Sequence, residues 1–278
     1  MSGIQLSDHA DFQELLRKFP DYPHLIRYLK QQGYGTYRLK TFAKQEGSSD
    51  ASYEDQERFY GFDTWVQHPD IPYQGYKYDF HGGIPDQYGL GYFLDDVPRD
   101  RSKPEFLFFI SMASHWPFFP PPPLTKNWRQ LDSIRTDPYK IPIPDSLTTE
   151  YDRYMWRAEG KMAPRYAKAI FYDLRMMTQF TMEQVSPGSI VIIIGDHQPP
   201  GVTAYGQDGL ECPVHILSQD SLFLQSLDAY GFRRGMEADT VLPAPLRHQG
   251  LYSLLVRELN RRYGSDPEKL PPYLPEGL

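Results

Sequence analysis

The chain has 278 residues, of which 40% are hydrophobic and 15% aromatic, so it can bury a sizeable core and is not disordered as a whole. Its 29 basic and 36 acidic residues give a net charge of −7, and no Lys/Arg cluster is visible that would track a phosphate backbone. This charge pattern argues against nucleic acid as a partner. Cys212 is the single cysteine, so no disulfide can form within the chain.

The sequence predicts neither a membrane span nor a secretion signal. The longest apolar runs, Phe106–Ile110 and Ile190–Ile194, are far shorter than the roughly 20 residues that a spanning helix needs. Residues Met1–Asp11 are polar and lack the apolar segment of a signal peptide. We therefore expect no membrane span in this chain.

In chain order, helical and strand-like stretches alternate, which predicts an α/β fold with a mainly parallel sheet between helices. A helix is expected over Pro23–Gln32, ended by Gly33, and a short strand over Gly35–Leu39. Residues Lys44–Gln56 are polar and acidic, and they predict a solvated loop. Asp86 begins a further helix and is most simply its N-cap.

Two apolar runs predict the strongest strands. Phe106–Met112 and Ser189–Ile194 are largely apolar at every position, which is typical of strands covered on both faces, and Pro213–Leu217 is a weaker run of this kind. Between them, apolar residues at helical spacing predict a long amphipathic helix over Tyr166–Val185, ended by Pro187–Gly188. A helix that leads through a tight turn into a buried strand is half of a right-handed crossover unit.

The proline-rich segments punctuate this pattern. Pro117–Pro142 excludes a helix and a central strand, and predicts an ordered surface loop or lid. A rigid connector is favoured there over a binding role, although both interpretations stay open. Leu246–Arg262 predicts a closing helix. We expect one domain over residues 1–265 with residues 266–278 as a proline-rich tail.

The most informative pair of residues comes directly after the strongest strand. Asp196 and His197 follow Gly195 at a predicted strand end, and ligands of open α/β sheets lie beyond the carboxyl ends of strands. A carboxylate oxygen and an imidazole nitrogen suit Zn, Mn and other divalent ions. The alternative is that Asp196 caps the next turn and His197 is an incidental neighbour. The dipeptide alone leaves both interpretations open.

His115 stands at the end of the other strong strand, directly before the chain breaks at Pro117. A histidine at this edge of the same sheet predicts a donor to an anionic phosphate or sulfate group, or a proton donor. The alternative is a half-buried histidine bonded to a loop carbonyl. The pairing of His115 with Asp196 and His197 favours the functional interpretation.

Five blocks in order resemble the sulfatase family of the alkaline-phosphatase superfamily, and within it the lipoteichoic-acid-synthase-like phosphoglycerol transferases. The blocks are LIRYLKQQGYGTYRL, YGFDTW, GIPDQYGLGYF, FISMASHWPFF and IIIGDHQPP. The resemblance implies a sulfatase-like α/β fold and a divalent metal such as Mn, Zn, Mg or Ca. By the same resemblance Asp196 and His197 are metal ligands, His115 is catalytic and substrate-binding, and Trp65 lines the substrate pocket unless it is a core aromatic.

The same resemblance implies a two-step transfer in which an activated Ser or Thr attacks phosphorus or sulfur. In the family, a first strand carries an acidic metal ligand and the nucleophile lies well before the GY block. This sequence shows neither pattern, so the expected fold is amino-terminally truncated. Ser7 is the positional candidate for the nucleophile, with an N-cap role for the helix around Phe12–Lys18 as the alternative. A second chain that supplies the missing half-site is a further expectation.

The resulting functional hypothesis is a metal-dependent hydrolase or phosphoglycerol- or phosphoethanolamine-type transferase that acts on anionic sulfate or phosphate esters. The alternative is a catalytically inactive sulfatase-like remnant that binds an anionic glycan, a lipid headgroup or a partner protein. Family members of this type usually act outside the cytoplasm, in the periplasm or at the cell surface. The sequence itself leaves the location of this protein open.

Overall fold

The strands form two sheets in a computed structural model that describes residues 9–43, 53–78, 83–116, 118–138, 145–146, 149, 162–203, 211–235, 245–266 and 269–277. In the first sheet, β1 (Gly35–Lys40) lies between β2 (Thr64–Val66) and β3 (Glu105–Ile110) and is parallel to both. In the second, β4 (Ile190–Ile194) pairs with β5 (Val214–Ser218). The predicted α/β fold with a parallel sheet is confirmed, but β5 is antiparallel to β4 and so departs from the mainly parallel pattern.

Helices flank these strands at most of the predicted places. The α-helices of the described residues are α1 (His9–Lys18), α2 (Leu25–Gln31), α3 (Tyr53–Tyr60), α4 (Asp86–Asp95), α5 (Met162–Gln184), α6 (Ser221–Ser226) and α7 (Gly250–Tyr263). Short 3-10 helices cover His68–Asp70, Trp128–Ser133 and Leu227–Tyr230. No helix in these described ranges is long and apolar enough to cross a membrane.

The polar segment after β1 is only partly the loop that was expected. Residues 44–52 lie outside the described residues, but α3 begins at Tyr53, so the prediction of a loop through Gln56 was wrong at its end. The helix forms because Phe59 is 1% exposed and packs against Leu15 and Leu16 of α1. Burial of this single apolar residue outweighs the polar composition of the first turn.

Two of the sequence blocks meet at the start of the first sheet. The backbone N–H and the hydroxyl of Thr36 each donate to Asp63 Oδ2 at 2.9 Å, and Lys30 Nζ lies 2.8 Å from Asp63 Oδ1. Lys30 belongs to α2, Thr36 to β1 and Asp63 to the turn that enters β2. These residues therefore hold the first crossover of the sheet, which gives the LK, GYGT and GFD sequences a structural role.

The main core fills one face of the first sheet. There, α4 and α5 contribute Leu90, Phe93, Tyr172 and Met176 to a cluster that also contains Leu39 of β1. A second cluster, around Leu25, Leu29, Phe223, Leu254 and Leu255, receives Phe106 from β3 together with Ile190 and Ile192 from β4. Both sheets therefore contribute to this second apolar cluster.

The two strong strands are less covered than their sequences predict. Residues 106–110 of β3 and 190–193 of β4 are half-buried, and Ile194 is exposed. Among the described residues, β3 pairs only with β1 and β4 only with β5, so each has one open edge. The prediction that both faces are fully covered was therefore wrong for these strands.

The proline-rich segment is ordered over residues 118–138, and Pro117 and residues 139–142 lie outside the described residues. Phe118 is 1% exposed and Leu131 is fully buried, so the segment is anchored to the core. The expectation that no helix forms here was wrong in one detail, because Trp128–Ser133 is a 3-10 helix. Trp128 packs edge-on against Tyr88 of α4, which fixes this short helix on the domain.

Candidate active site

The chain makes a tight turn directly after β3, and this turn carries His115. The backbone N–H of His115 donates to Met112 O at 3.0 Å, and that of Phe118 donates to His115 O at 2.9 Å. The side chain of His115 is exposed, and its Nδ1 lies 2.6 Å from the carbonyl oxygen of Trp116. The contact to a loop carbonyl matches the alternative drawn from the sequence, but the exposure also leaves the ring at the surface of a pocket.

Asp86 holds this turn from beneath. Its carboxylate is 2% exposed and accepts three hydrogen bonds of 2.9 Å each, from the hydroxyl of Thr41 and from the backbone N–H groups of Met112 and Ala113. Pro85, not Asp86, occupies the N-cap position of α4, and no side chain caps that helix end. The N-cap prediction for Asp86 was therefore wrong. The side chain binds the residues that follow β1 and β3 instead.

A second buried acid approaches the same turn from α5. Asp173 is 3% exposed, Ser111 Oγ lies 3.4 Å from its Oδ2, and its Oδ1 has no hydrogen-bond partner. Burial raises the pKa of Asp173, although hydrogen bonds from Ser114 and Ser111 oppose the rise. Burial also raises the pKa of Asp86, and the nearby charge of Asp173 raises it further. The two carboxyls thus form a pair that favours retention of a proton.

A pocket opens above these acids. The residues that line it come from the approach to α4, the turn after β3 and the proline-rich segment: Tyr78, Gly83, Ile84, Pro85, Asp86, Met112, Ala113, His115, Trp116, Phe119, Pro120, Pro121 and Pro122. Its walls are largely aromatic and prolyl, with Tyr78, His115 and Asp86 as the ionisable groups. The rigid proline run therefore also forms one wall of a pocket, so its connector and binding roles are compatible.

Asp196 and His197 lie at the end of β4, as the sequence predicts. Among the described residues, however, β4 and β3 belong to different sheets, so the prediction that His115 stands at an edge of the same sheet was wrong. Their side chains are 86% and 61% exposed. His197 Nε2 lies 3.6 Å from Asp196 Oδ2, the backbone N–H of His197 donates to Asp196 Oδ1 at 2.9 Å, and His197 Nδ1 contacts Gln198 O at 2.8 Å. The carboxylate and the imidazole therefore converge on each other at the surface.

Tyr166, in the first turns of α5, connects the two strand ends. Its ring packs against Phe118, whose centroid is 5.2 Å away and which follows the His115 turn. Burial raises the pKa of the Tyr166 hydroxyl, and the charges of Cys212, Asp196 and Asp173 add to the rise. The phenol of Tyr166 thus lies within electrostatic reach of both Asp196, after β4, and Asp173, beneath the β3 turn. Both strand ends therefore influence the pKa of one group.

The remaining residues predicted from the sequence lie apart from this region or outside the described residues. Trp65 is half-buried on β2, where Arg38 stacks over its ring at 4.6 Å and Phe62 meets it edge-on. These contacts are those of a packed aromatic, and Trp65 is not among the residues that line the pocket. Ser7 lies outside the described residues.

The sulfatase family model matches residues 8–212, which is well over half of the chain. The chain belongs to the sulfatase family. No curated protein matches it.

Two solved structures are similar to this sulfatase-family chain. The lipoteichoic acid synthase LtaP from Listeria monocytogenes shares 19% identity over 66% of this chain and 39% of its own, with a TM-score of 0.36. A protein of the alkaline phosphatase superfamily from Vibrio parahaemolyticus shares 21% identity over 70% of this chain and 41% of its own, also with a TM-score of 0.36. The chain therefore spans about two fifths of the length of each neighbour.

Members of the sulfatase family generally use divalent metals, and Asp196 and His197 are suited to bind one. They offer one carboxylate and one imidazole that already converge, and their exposure leaves room for an ion. Within the part of the chain that the structure describes, no group of three or more His, Cys, Asp or Glu side chains surrounds such a position. Asp196 and His197 therefore supply two ligands of a metal site, and further donor groups must complete it.

The buried pair of Asp86 and Asp173 was missed as part of the site. A signal for Asp173 was present, because it stands on the same helical stripe as Ala169, Tyr172 and Met176, all of which are buried. An acid in the middle of an apolar stripe must be paired, bonded or protonated, and so merits attention before the structure is known. Asp86 gave a weaker signal, because an acid after Ile-Pro at a helix start usually caps that helix.

Proposed function

We propose that this sulfatase-family chain carries the metal-binding and substrate-binding parts of an active site that hydrolyses or transfers sulfate or phosphate esters. The observation that supports the proposal most directly is the pair of strand ends. His115 lies on one, Asp196 and His197 lie on the other, and Tyr166 is close to both. Because the two strands lie in different sheets of the described residues, the contacts of Tyr166 with both surroundings support a common site.

In this proposal, Asp196 Oδ2 and His197 Nε2 hold a divalent ion, which when bound would act as a Lewis acid on an ester oxygen. His115 binds the anionic group of the substrate. Because His115 Nδ1 is turned to the carbonyl of Trp116, its Nε2 is the atom that donates to an anionic oxygen when the ring is protonated. Aromatic and prolyl side chains form the pocket walls beside this contact.

The attacking group is proposed separately. Ser7 is the candidate within this chain, and the alternative is a residue supplied by a second polypeptide. The similarity to the Listeria lipoteichoic acid synthase favours a phosphate ester of the phosphoglycerol type as substrate, with sulfate esters as the competing class. A catalytically inactive relative that binds an anionic ligand through the same edge is the second hypothesis.

Titration calorimetry with Mn and Zn tests the metal site. We expect the wild type to bind one of these ions and Asp196→Ala and His197→Ala each to reduce the affinity at least tenfold. Asp228→Ala and His248→Ala remove an exposed acid and an exposed histidine elsewhere and serve as matched controls. If the wild type binds neither ion, or if the four variants behave alike, the metal site is refuted.

Turnover of p-nitrophenyl phosphate, bis-p-nitrophenyl phosphate and p-nitrophenyl sulfate distinguishes the remaining hypotheses. Metal-dependent release of p-nitrophenol from one of them, lost in Asp196→Ala, supports the enzyme. Activity that persists in Ser7→Ala assigns the nucleophile elsewhere. Metal binding and phosphate binding without turnover of any of the three supports the inactive relative.

A further inference from the structure

The turn that carries His115 is held from two sides by buried acids. We propose that Asp86 and Asp173 are positioning residues, which together hold the Ser111–His115 turn and thereby fix the place of His115 at the pocket. Asp86 binds the backbone of the turn and Asp173 binds one of its side chains. The inference rests on the proposed function only in assigning substrate binding to His115.

The contact geometry carries the argument. Met112 and Ala113 are the second and third residues after β3, and both of their N–H groups point to one oxygen of Asp86 at 2.9 Å. Two adjacent N–H groups converge on a single acceptor only if the backbone between them curls. The curl is the same one that brings the N–H of His115 to the carbonyl of Met112. The position of His115 is therefore tied to Asp86.

Asp86 is itself fixed by its surroundings. Its other oxygen accepts from Thr41, which is fully buried directly after β1, and Asp86 opens α4. Asp173 approaches from α5 and binds Ser111, the first residue after β3. Two helices and two strand ends thus converge on five residues of loop, which gives an exposed histidine a rigid base.

The charge state of the pair determines how firmly it holds the turn. A carboxylate accepts from N–H groups, whereas two ionised carboxylates in a dry environment repel each other. One proton retained by the pair satisfies both requirements. The titratable groups that face the pair are Tyr172 and Tyr166 of α5, Tyr78 before α4 and His115 above. The phenols of Tyr172 and Tyr166 stay neutral because burial raises their pKa, so they do not compensate a second negative charge.

Loss of the proton that Asp86 and Asp173 retain together should therefore weaken the hydrogen bonds that hold the turn. As pH rises, the second carboxyl ionises, repulsion separates α4 from α5, and the hydrogen bonds to Met112 and Ala113 weaken. Asp173→Asn removes this response, because the amide occupies the same volume without a charge. Asp86 then ionises at a lower pH and keeps the turn in place.

Nuclear magnetic resonance of the whole chain without metal or substrate tests the inference. We expect the backbone amides of Met112, Ala113 and His115 to move together as pH rises from mildly acidic to mildly alkaline in the wild type, because the N–H of His115 donates to Met112. In Asp173→Asn the amide transition should move to lower pH, where the proton concentration is at least tenfold higher. Asp96→Asn, an exposed acid at the other end of α4, is the control and should match the wild type.

Three outcomes overturn the proposal: wild-type amides that do not move with pH, an Asp173→Asn transition at the wild-type position, or a His115 amide that stays in place while those of Met112 and Ala113 move. Ser111→Ala removes one contact without altering either charge, and it should shift the His115 ring while the amide transition persists. Inorganic phosphate binding is measured in parallel. Failure of the wild type to bind phosphate counts against the proposed function and leaves the result of the titrations standing.

Discussion

The two strand ends of this chain present ionisable residues in opposite ways. After β3, the acids are buried, Asp86 accepts three hydrogen bonds from two other elements, and His115 lies on a turn that these contacts hold. After β4, Asp196 and His197 are largely exposed, and within the part of the chain that the structure describes their hydrogen bonds reach only each other and Gln198. One end is integrated into the fold and the other is presented to solvent.

This difference distinguishes residues that stabilise the fold from residues that are available to bind a ligand. Asp86 bonds to Thr41 and to the backbone of the loop after β3, so its own contacts already explain why an acid stands there. Asp196 and His197 bond to no distant element of the described ranges, which give no structural reason for an acid and a histidine at that strand end. Exposed polar residues without a structural task, on a loop placed by a strand, are typical of binding sites.

The largest expected effect is that of Asp86→Ala. The change leaves the donors of Thr41, Met112 and Ala113 without an acceptor in a buried place, and we expect a loss of about 3 kcal/mol in the free energy of unfolding. Urea unfolding measures it, with Asp96→Ala as a control that should stay within about 0.5 kcal/mol. A loss below about 1 kcal/mol would mean that water replaces the carboxylate and that the β3 end is less integrated than described.

The same contrast explains what the sequence could predict. The fold class and the places of the main strands and of α5 follow from local apolar patterns and are confirmed, although β3 ends two residues before the predicted Met112 and α5 begins four residues before the predicted Tyr166. The family follows from the ordered sequence blocks, and the family model confirms it. Asp196 and His197 could be singled out because their meaning lies in one short stretch directly after a strand. Information of this kind is local and does not require knowledge of distant contacts.

What could not be predicted depends on contacts between distant residues. Asp86 and Thr41 are separated by 45 positions, and Ser111 and Asp173 by 62. No periodic pattern connects them. The open edges of β3 and β4 were missed for the same reason, because an apolar strand predicts burial on both faces but does not specify which strand lies beside it.

A second variant, Gly89→Ala, tests the β3 end without touching an ionisable group. A Cβ at residue 89 would lie 2.2 Å from Thr41 Cγ2, so Thr41 must move away from Asp86. We expect a loss of about 2 kcal/mol, measured by urea unfolding. Gly195→Ala is the counterpart at the β4 end, where the nearest atom, Pro213 Cδ, is 3.2 Å away, and it should cost less than about 1 kcal/mol. Equal losses at the two sites would contradict the comparison.

The pH dependence of stability is expected to be smaller and to come from the β3 end. The pKa values of Asp86 and Asp173 are raised by burial, so the folded state keeps a proton that the unfolded chain releases as pH rises above the ordinary carboxyl range. The unfolded state is then favoured, and stability falls toward neutral pH. Asp173→Asn should flatten this fall by about 1 kcal/mol, and Asp196→Asn should leave it unchanged. An identical pH profile in wild type and Asp173→Asn would mean that the Asp86–Asp173 pair does not cause the pH dependence of stability.

The smallest effects are expected at the β4 end. Asp196→Ala and His197→Ala should each change the free energy of unfolding by no more than about 0.5 kcal/mol, because neither residue packs or bonds beyond its neighbours. Mn or Zn, whichever binds, should raise the melting temperature of the wild type and of the Asp228→Ala control, but not that of the two variants, since an ion that binds only the folded state stabilises it. A large loss of stability in the absence of metal would give Asp196 or His197 a structural task. The exposed strand end would then no longer differ in kind from the buried one, and its case as a binding site would depend on metal affinity alone.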